Sequence, residues 1–261
     1  MQALWTASTG MAGQQTQIDV IANNLANLNT PGFKTARAQF QDLVYQNITT
    51  PGAPAPGGTV TPTGVSVGLG TRVASTPRMF AQGSLQQTQN QYDLAIQGDG
   101  FFQVTLPDGT IGYTRDGSFQ VNGQGQLVTS DGYLVQPGIT IPPTATAVTI
   151  GADGTVSVTM PGQQNPQQVG QLQLARFANP AGLLARGQNL FVATQASGAP
   201  LVATPGQQGT GTLAQGYVEQ SNVSLVDQMV ALIDAERAYE AMSKVVTTGD
   251  QMLQMANGMN G

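Results

Sequence analysis

The sequence predicts an α+β protein: two long helices at the chain ends, pairing as a coiled coil, with a mostly antiparallel β domain inserted between them. Three observations carry this. Apolar residues recur every seven positions at both ends; Pro is nearly absent from the ends, and Pro and Gly crowd the middle; and six Asp-Gly or Asn-Gly dipeptides punctuate that middle. The 261 residues suffice for one or two domains with a real core.

Leu4, Met11, Ile18 and Leu25 recur at intervals of seven, and Ala7, Gln14, Ile21 and Leu28 follow each by three. This is an a/d pattern over four heptads, with Gln14 as the polar intruder. Asn29-Thr30-Pro31-Gly32 ends it, because proline and glycine together break a helix. A short apolar segment, 33–45, follows. Residues 46–64 hold four prolines and four glycines, which excludes helix and predicts an extended course.

From about residue 65 to 217 the pattern is short alternating stretches separated by turns. Asp-Gly stands at 99–100, 108–109, 116–117, 131–132 and 153–154, and Asn-Gly at 122–123. Each predicts a hairpin, since both residue types tolerate the positive φ of a tight turn. The last element opens with Ser224-x-x-Asp227, a capping-box-like start. Leu225, Leu232, Tyr239, Val246 and Leu253 then repeat every seven residues, with Ala235, Met242 and Ala256 at the +3 positions and Gln228 and Gly249 as exceptions. Met229, Ile233, Val245 and Met252 widen the apolar face beyond one seam, which predicts more than one neighbour.

Composition narrows the function. With no Cys and no His there is no thiolate nucleophile, no imidazole base and no zinc site of the usual ligand types. Asp and Glu are the remaining candidates for acid–base work, but five of eleven Asp precede Gly in expected turns, where the side chain caps the turn. Neither Gly68-Leu69-Gly70 nor Gly98-Asp99-Gly100 has the spacing of a nucleotide fingerprint. The chain is thus expected not to be an enzyme and to take no cofactor or metal. A net charge of −5 leaves no basic surplus for nucleic acid, and no apolar run is long enough for direct membrane insertion. The first basic residue is Lys34, so the N-terminus does not read as a cleaved secretion signal. Residues 46–218 carry only six acids and five bases, a charge-poor surface suited to association.

These residues resemble a known family. The segment ANNLANLNTPGFK at 22–34 is similar to the N-terminal signature of bacterial flagellar rod and hook proteins, and 221–253 is similar to their C-terminal signature. The stretches at 83–119 and 197–206 extend the likeness, and chain length with the insertion after the first helix points to the distal-rod branch.

The resemblance implies a structural drive-shaft subunit that polymerises helically through its terminal helices and transmits torque. It implies an inner-tube domain of 1–44 and 218–261, an extended arm of 45–72 and an outer β domain of 73–217. Implied polymer-interface residues are Leu4, Met11, Ile18, Ile21, Leu25, Leu28, Leu225, Met229, Leu232, Tyr239, Met242, Val246 and Leu253. Implied partners are further copies of the chain, proximal rod subunits, hook or hook-junction subunits, the surrounding P and L ring proteins and the flagellar type III export apparatus. The implied location is the periplasm-spanning rod of the basal body, reached without signal cleavage. A proximal rod or short hook-like subunit, or a secreted trimeric fibre, remain open alternatives.

Overall fold

A computed structural model describes residues 2–52, 63–162 and 165–258. The Pro/Gly-rich centre of the expected arm, 53–62, lies outside the described residues. The chain divides into two compact units: Met1–Leu25 with Ala36–Pro77 and Ser224–Gly261, and Ala26–Thr35 with Arg78–Val223. Each contains segments distant in sequence, so the chain crosses between them four times.

The first unit holds both helices, α1 (Gln2–Ala26) and α2 (Leu225–Gly258). At the start of α2 the backbone N–H of Asp227 donates to Ser224 Oγ at 3.4 Å, the N-cap that the sequence anticipates. The helices run antiparallel. Asn24 Nδ2 donates to Gln228 Oε1 at 3.0 Å. A Cβ added to Gly10 would lie 2.6 Å from Met242 Sδ, and one added to Gly249 would lie 2.6 Å from Leu4 Cδ2. From the first of these contacts to the second, each helix advances by fourteen residues, two heptads.

Between the helices the same unit carries β1 (Gln39–Asp42), β2 (Tyr45–Thr49), β3 (Val65–Gly68) and β4 (Thr71–Ser75). β1 pairs antiparallel with β4 and β2 with β3, so 39–49 and 65–75 run side by side as one long two-stranded ladder. Two-stranded ribbons are marginal alone. This one gains a partner where Phe40 packs by Gly13: a Cβ there would sit 3.2 Å from the ring.

The second unit is built from β5 (Leu85–Gln87), β6 (Leu94–Gln97), β7 (Phe101–Thr105), β8 (Ile111–Thr114), β9 (Gln120–Val121), β10 (Leu127–Val128), β11 (Leu134–Val135), β12 (Ala147–Ile150), β13 (Thr155–Thr159), β14 (Gln167–Gln171), β15 (Leu174–Arg176), β16 (Leu184–Gly187), β17 (Leu190–Val192), β18 (Leu201–Ala203), β19 (Thr212–Gln215) and β20 (Tyr217–Glu219). Every pairing among them is antiparallel. β7 is the central strand, with β8 on one edge and β11 and β15 sharing the other. Alternation along β7 sends Phe102 and Val104 into the main aliphatic core and Phe101 into a second, aromatic cluster with Tyr113, Phe177 and Phe191.

Four of the six expected turns close hairpins: 108–109 joins β7 to β8, 122–123 joins β9 to β10, 131–132 joins β10 to β11, and 153–154 joins β12 to β13. The dipeptides at 99–100 and 116–117 do not; there the chain turns a corner between strands that pair elsewhere. An Asp-Gly dipeptide sets local φ but not which strands meet. At 117 the glycine is needed for a close approach, because its added Cβ would collide with Leu94 O.

Candidate assembly interface

The heptad letters explain how the helices divide their surfaces. With Leu4 and Leu225 as a positions, the most buried residues fall at d and g. On α1 these are Ala7, Gly10, Ile21 and Asn24, with Gly13 at c buried instead against Phe40; on α2, Ala235 is buried and Gln228, Ala231, Ala238, Met242 and Gly249 are partly so. The a column lies at the edge of this stripe or outside it. Leu4, Met11, Ile18 and Leu25 are half-buried, while on α2 Leu225 is 44%, Tyr239 38% and Leu253 39% exposed. Leu232 and Val246 are half-buried, as is Leu28 beyond the end of α1. The residues the sequence pattern sets aside as exceptions, Gln228 and Gly249, therefore face the partner helix.

The physical reason is size. Small residues at g and d let the two helices approach closely, and the helix pair itself needs little more. The larger side chains are left over. Met229 is 51% exposed, and Val226, Val230, Ile233, Val245, Met252 and Met255 are exposed with it. Among the described residues twenty-one large hydrophobics are exposed, and ten of them lie on α2. So many exposed apolar side chains on one helix mark an interaction surface rather than a resting state in water.

A buried charge cluster, which the sequence reading missed, organises the second unit where the two signature segments meet. Lys34 and Glu219 are fully buried and Arg115 nearly so. Lys34 Nζ donates to Glu219 Oε1 at 2.5 Å and to Ala81 O at 2.8 Å. Arg115 Nη1 reaches Glu219 Oε2 at 3.3 Å, and the Gly83 N–H donates to Oε1 at 2.8 Å. Burial pulls the Lys34 ammonium below its ordinary pKa, partly opposed by the attraction of Glu219; Arg115 is shifted down for the same reason. The approach to this cluster depends on Gly32, whose φ is +69° and whose added Cβ would lie 2.5 Å from the Asp116 backbone nitrogen. A readable signal existed. Lys34 follows an apolar Phe33, and Glu219 is the lone acid between Asp153 and Asp227 in a charge-poor chain. Isolated charges beside apolar residues are buried only when paired.

In the first unit Asn24 plays a similar part. Its side chain donates to Ala36 O at 2.8 Å and accepts from the Ala36 N–H at 2.9 Å, besides bonding Gln228. One asparagine thus ties α1, the segment leading into β1, and α2.

Among the described residues no three metal-ligating side chains cluster, and no helix is long and apolar enough to cross a membrane. The paired terminal helices, their outward apolar face and the β-rich insertion are the plan of a structural subunit. Residues 4–34 match the family described as flagella basal body rod protein, 95–158 the flagellar hook protein FlgE/F/G D1 domain, and 214–259 the flagellar basal body rod FlgEFG protein C-terminal region. The chain belongs to the flagellar basal-body rod protein family and is a structural component of the flagellar rod, not an enzyme.

Its similarity runs end to end. It is 54% identical to the flagellar basal-body rod protein FlgG of Caulobacter vibrioides, over 97% of each chain. With FlgG of Borreliella burgdorferi the identity is 49%, over 99% of this chain and 98% of that one. A flagellar hook protein FlgE of Helicobacter mustelae is 46% identical over 52% of this chain but only 30% of its own.

Proposed function

We propose that the chain is the subunit of the distal rod, that its copies polymerise helically through the terminal helices, and that the polymer carries torque from motor to hook. The observation that carries this is the outward apolar stripe of α2. Contacts between unlike faces whose rotation does not close generate an open helical assembly, and repetition of many modest seams makes such a tube stiff.

In this reading the helix pair is a coiled coil whose d/g stripe closes internally. Met11, Ile18, Leu25, Leu28, Leu225, Met229, Leu232, Tyr239, Val246 and Leu253 then meet neighbouring copies, while Leu4, Ile21 and Met242 support the pair itself. Residues 1–44 and 218–261 supply the inner tube, 73–217 the outer β domain. The arm, 45–72, braces adjacent subunits; the β2–β3 ladder at its base and the exposed Val44, Tyr45, Ile48 and Val65 favour a brace over a slack linker. Proximal rod subunits, hook or hook-junction subunits and the P and L rings are its neighbours in the periplasm-spanning rod, and the type III apparatus its exporter, with the N-terminus retained.

The test is Met229→Asp. Because Met229 is already 51% exposed, the change should move monomer stability by no more than about 0.5 kcal/mol. It should nevertheless abolish polymerisation of the purified chain and incorporation into rods in complemented cells. Normal assembly and swimming by this variant would refute the role of α2.

A further inference from the structure

The sulfur of this chain is placed unevenly. It has no cysteine, and four of its nine methionines, Met229, Met242, Met252 and Met255, fall on α2. Their surroundings divide these four. Met242 is half-buried and rests against Gly10, where an added Cβ would lie 2.6 Å from its Sδ. Met229, Met252 and Met255 are each more than half exposed. Gly249 meets Leu4 only two residues from the start of α1, so Met252 and Met255 stand where α2 runs on past its partner helix. Away from α2, Met11 and Met160 are half-buried, and Met79 on the second unit is exposed.

Leucine would supply the same apolar area, but a thioether can also be oxidised. Its sulfur attacks one oxygen of a peroxide, the O–O bond breaks, the sulfur loses two electrons to become a sulfoxide, and hydrogen peroxide is reduced to water. Access governs the rate, so the exposed α2 methionines react ahead of Met242. With no thiol in the chain, no faster-reacting side chain competes for the oxidant. The product replaces a flexible apolar side chain by a polar one whose S–O group needs a donor, and a polar group without a partner resists burial in a dry contact.

We propose that Met229, Met252 and Met255 are oxidation sites that gate assembly. As thioethers they let α2 meet a second copy of the chain; as sulfoxides they hold the chain as a monomer; and burial in the polymer withholds them from oxidant. This rests on the polymer reading above and makes the exposed face of α2 its redox-sensitive element. Met79 is the built-in control, because it is open to peroxide but lies off the helices.

The experiment treats the full chain with hydrogen peroxide, as monomer and as polymer, and maps sulfoxide at each methionine by mass spectrometry. In the monomer, 229, 252, 255 and 79 should oxidise ahead of 11, 160 and 242; in the polymer, 229, 252 and 255 should be protected about tenfold or more. Oxidised monomer should assemble with a critical concentration raised about tenfold or more. Its near-UV circular dichroism should be unchanged, and methionine sulfoxide reductases should restore assembly. Met79→Leu should lose assembly on oxidation like the unaltered chain. A chain carrying Met229→Leu, Met252→Leu and Met255→Leu, measured against its own untreated form, should be insensitive to peroxide. A critical concentration within about twofold of the untreated value once all three are sulfoxides would overturn the gate and leave the polymer intact, as would peroxide sensitivity in the triple variant. Failure of the untreated chain to polymerise at all would strike the polymer reading and this one together.

Discussion

Glu219→Ala tests the buried charge cluster. Glu219 accepts three hydrogen bonds, from Lys34, Arg115 and Gly83, and its side chain is fully buried. Removing it leaves the Lys34 ammonium buried beside a second cation, with only Ala81 O as acceptor. Breaking a buried pair from one side costs about 3–5 kcal/mol, because the surviving charge is uncompensated. For a unit of about 150 residues each kcal/mol lowers the midpoint by roughly 2–4 °C, so a fall of about 6–20 °C is expected.

The assay is thermal unfolding followed by near-UV circular dichroism, to which the buried Tyr113 contributes. Fluorescence of Trp5, the lone tryptophan, follows α1 instead. The pH dependence has a definite sign. Without Glu219, burial and the Arg115 charge drive the Lys34 pKa further below its ordinary 10.5. The native state then binds fewer protons than the unfolded chain in the window just below 10.5, so the variant regains stability as pH rises through it. The deficit relative to the unaltered chain should shrink between neutral pH and about pH 10. A loss under about 1 kcal/mol at neutral pH, or a deficit that grows with alkalinity, would refute the argument that Glu219 neutralises a desolvated cation.

Two further outcomes follow from the geometry. Asn24→Ala removes three hydrogen bonds and strands the half-buried Ala36 N–H; it should cost about 1–3 kcal/mol, read as faster amide exchange at Ala36 and an earlier loss of Trp5 signal. Gly32→Ala places a Cβ against the backbone of Arg115 and Asp116 at a φ of +69°, where no flexible side chain can yield; a loss of about 2 kcal/mol or more in chemical denaturation is expected. Stability unchanged in either variant would contradict the packing described.

Much of this architecture was legible because it is coded locally. A seven-residue period specifies a helix with one apolar face, and α1 and α2 fall where the period runs. Ser224 caps α2, Pro31 and Gly32 follow the end of α1, and four Asp-Gly or Asn-Gly dipeptides close hairpins between neighbouring strands. The family signatures lie in these same segments. The other two dipeptides were misread as hairpins because strand pairing is a long-range choice: β6 finds β19, more than a hundred residues later, instead of the adjacent β7.

The interface was only half visible. A heptad pattern shows that a helix has an apolar face; it does not say which edge of that face a partner takes. The sequence by itself determined that both chain ends are amphipathic helices around a charge-poor β insertion. Tertiary structure decided that Gly10, Ala235 and Gly249 go inward while Leu225, Met229 and Tyr239 stay out, because close approach of two helices rewards small side chains at the contact. It also decided that Lys34, Arg115 and Glu219, spread over nearly two hundred residues, share one dry site. No local pattern encodes such a meeting, since burial of a charge is stable only once the chain has brought its counter-charge alongside.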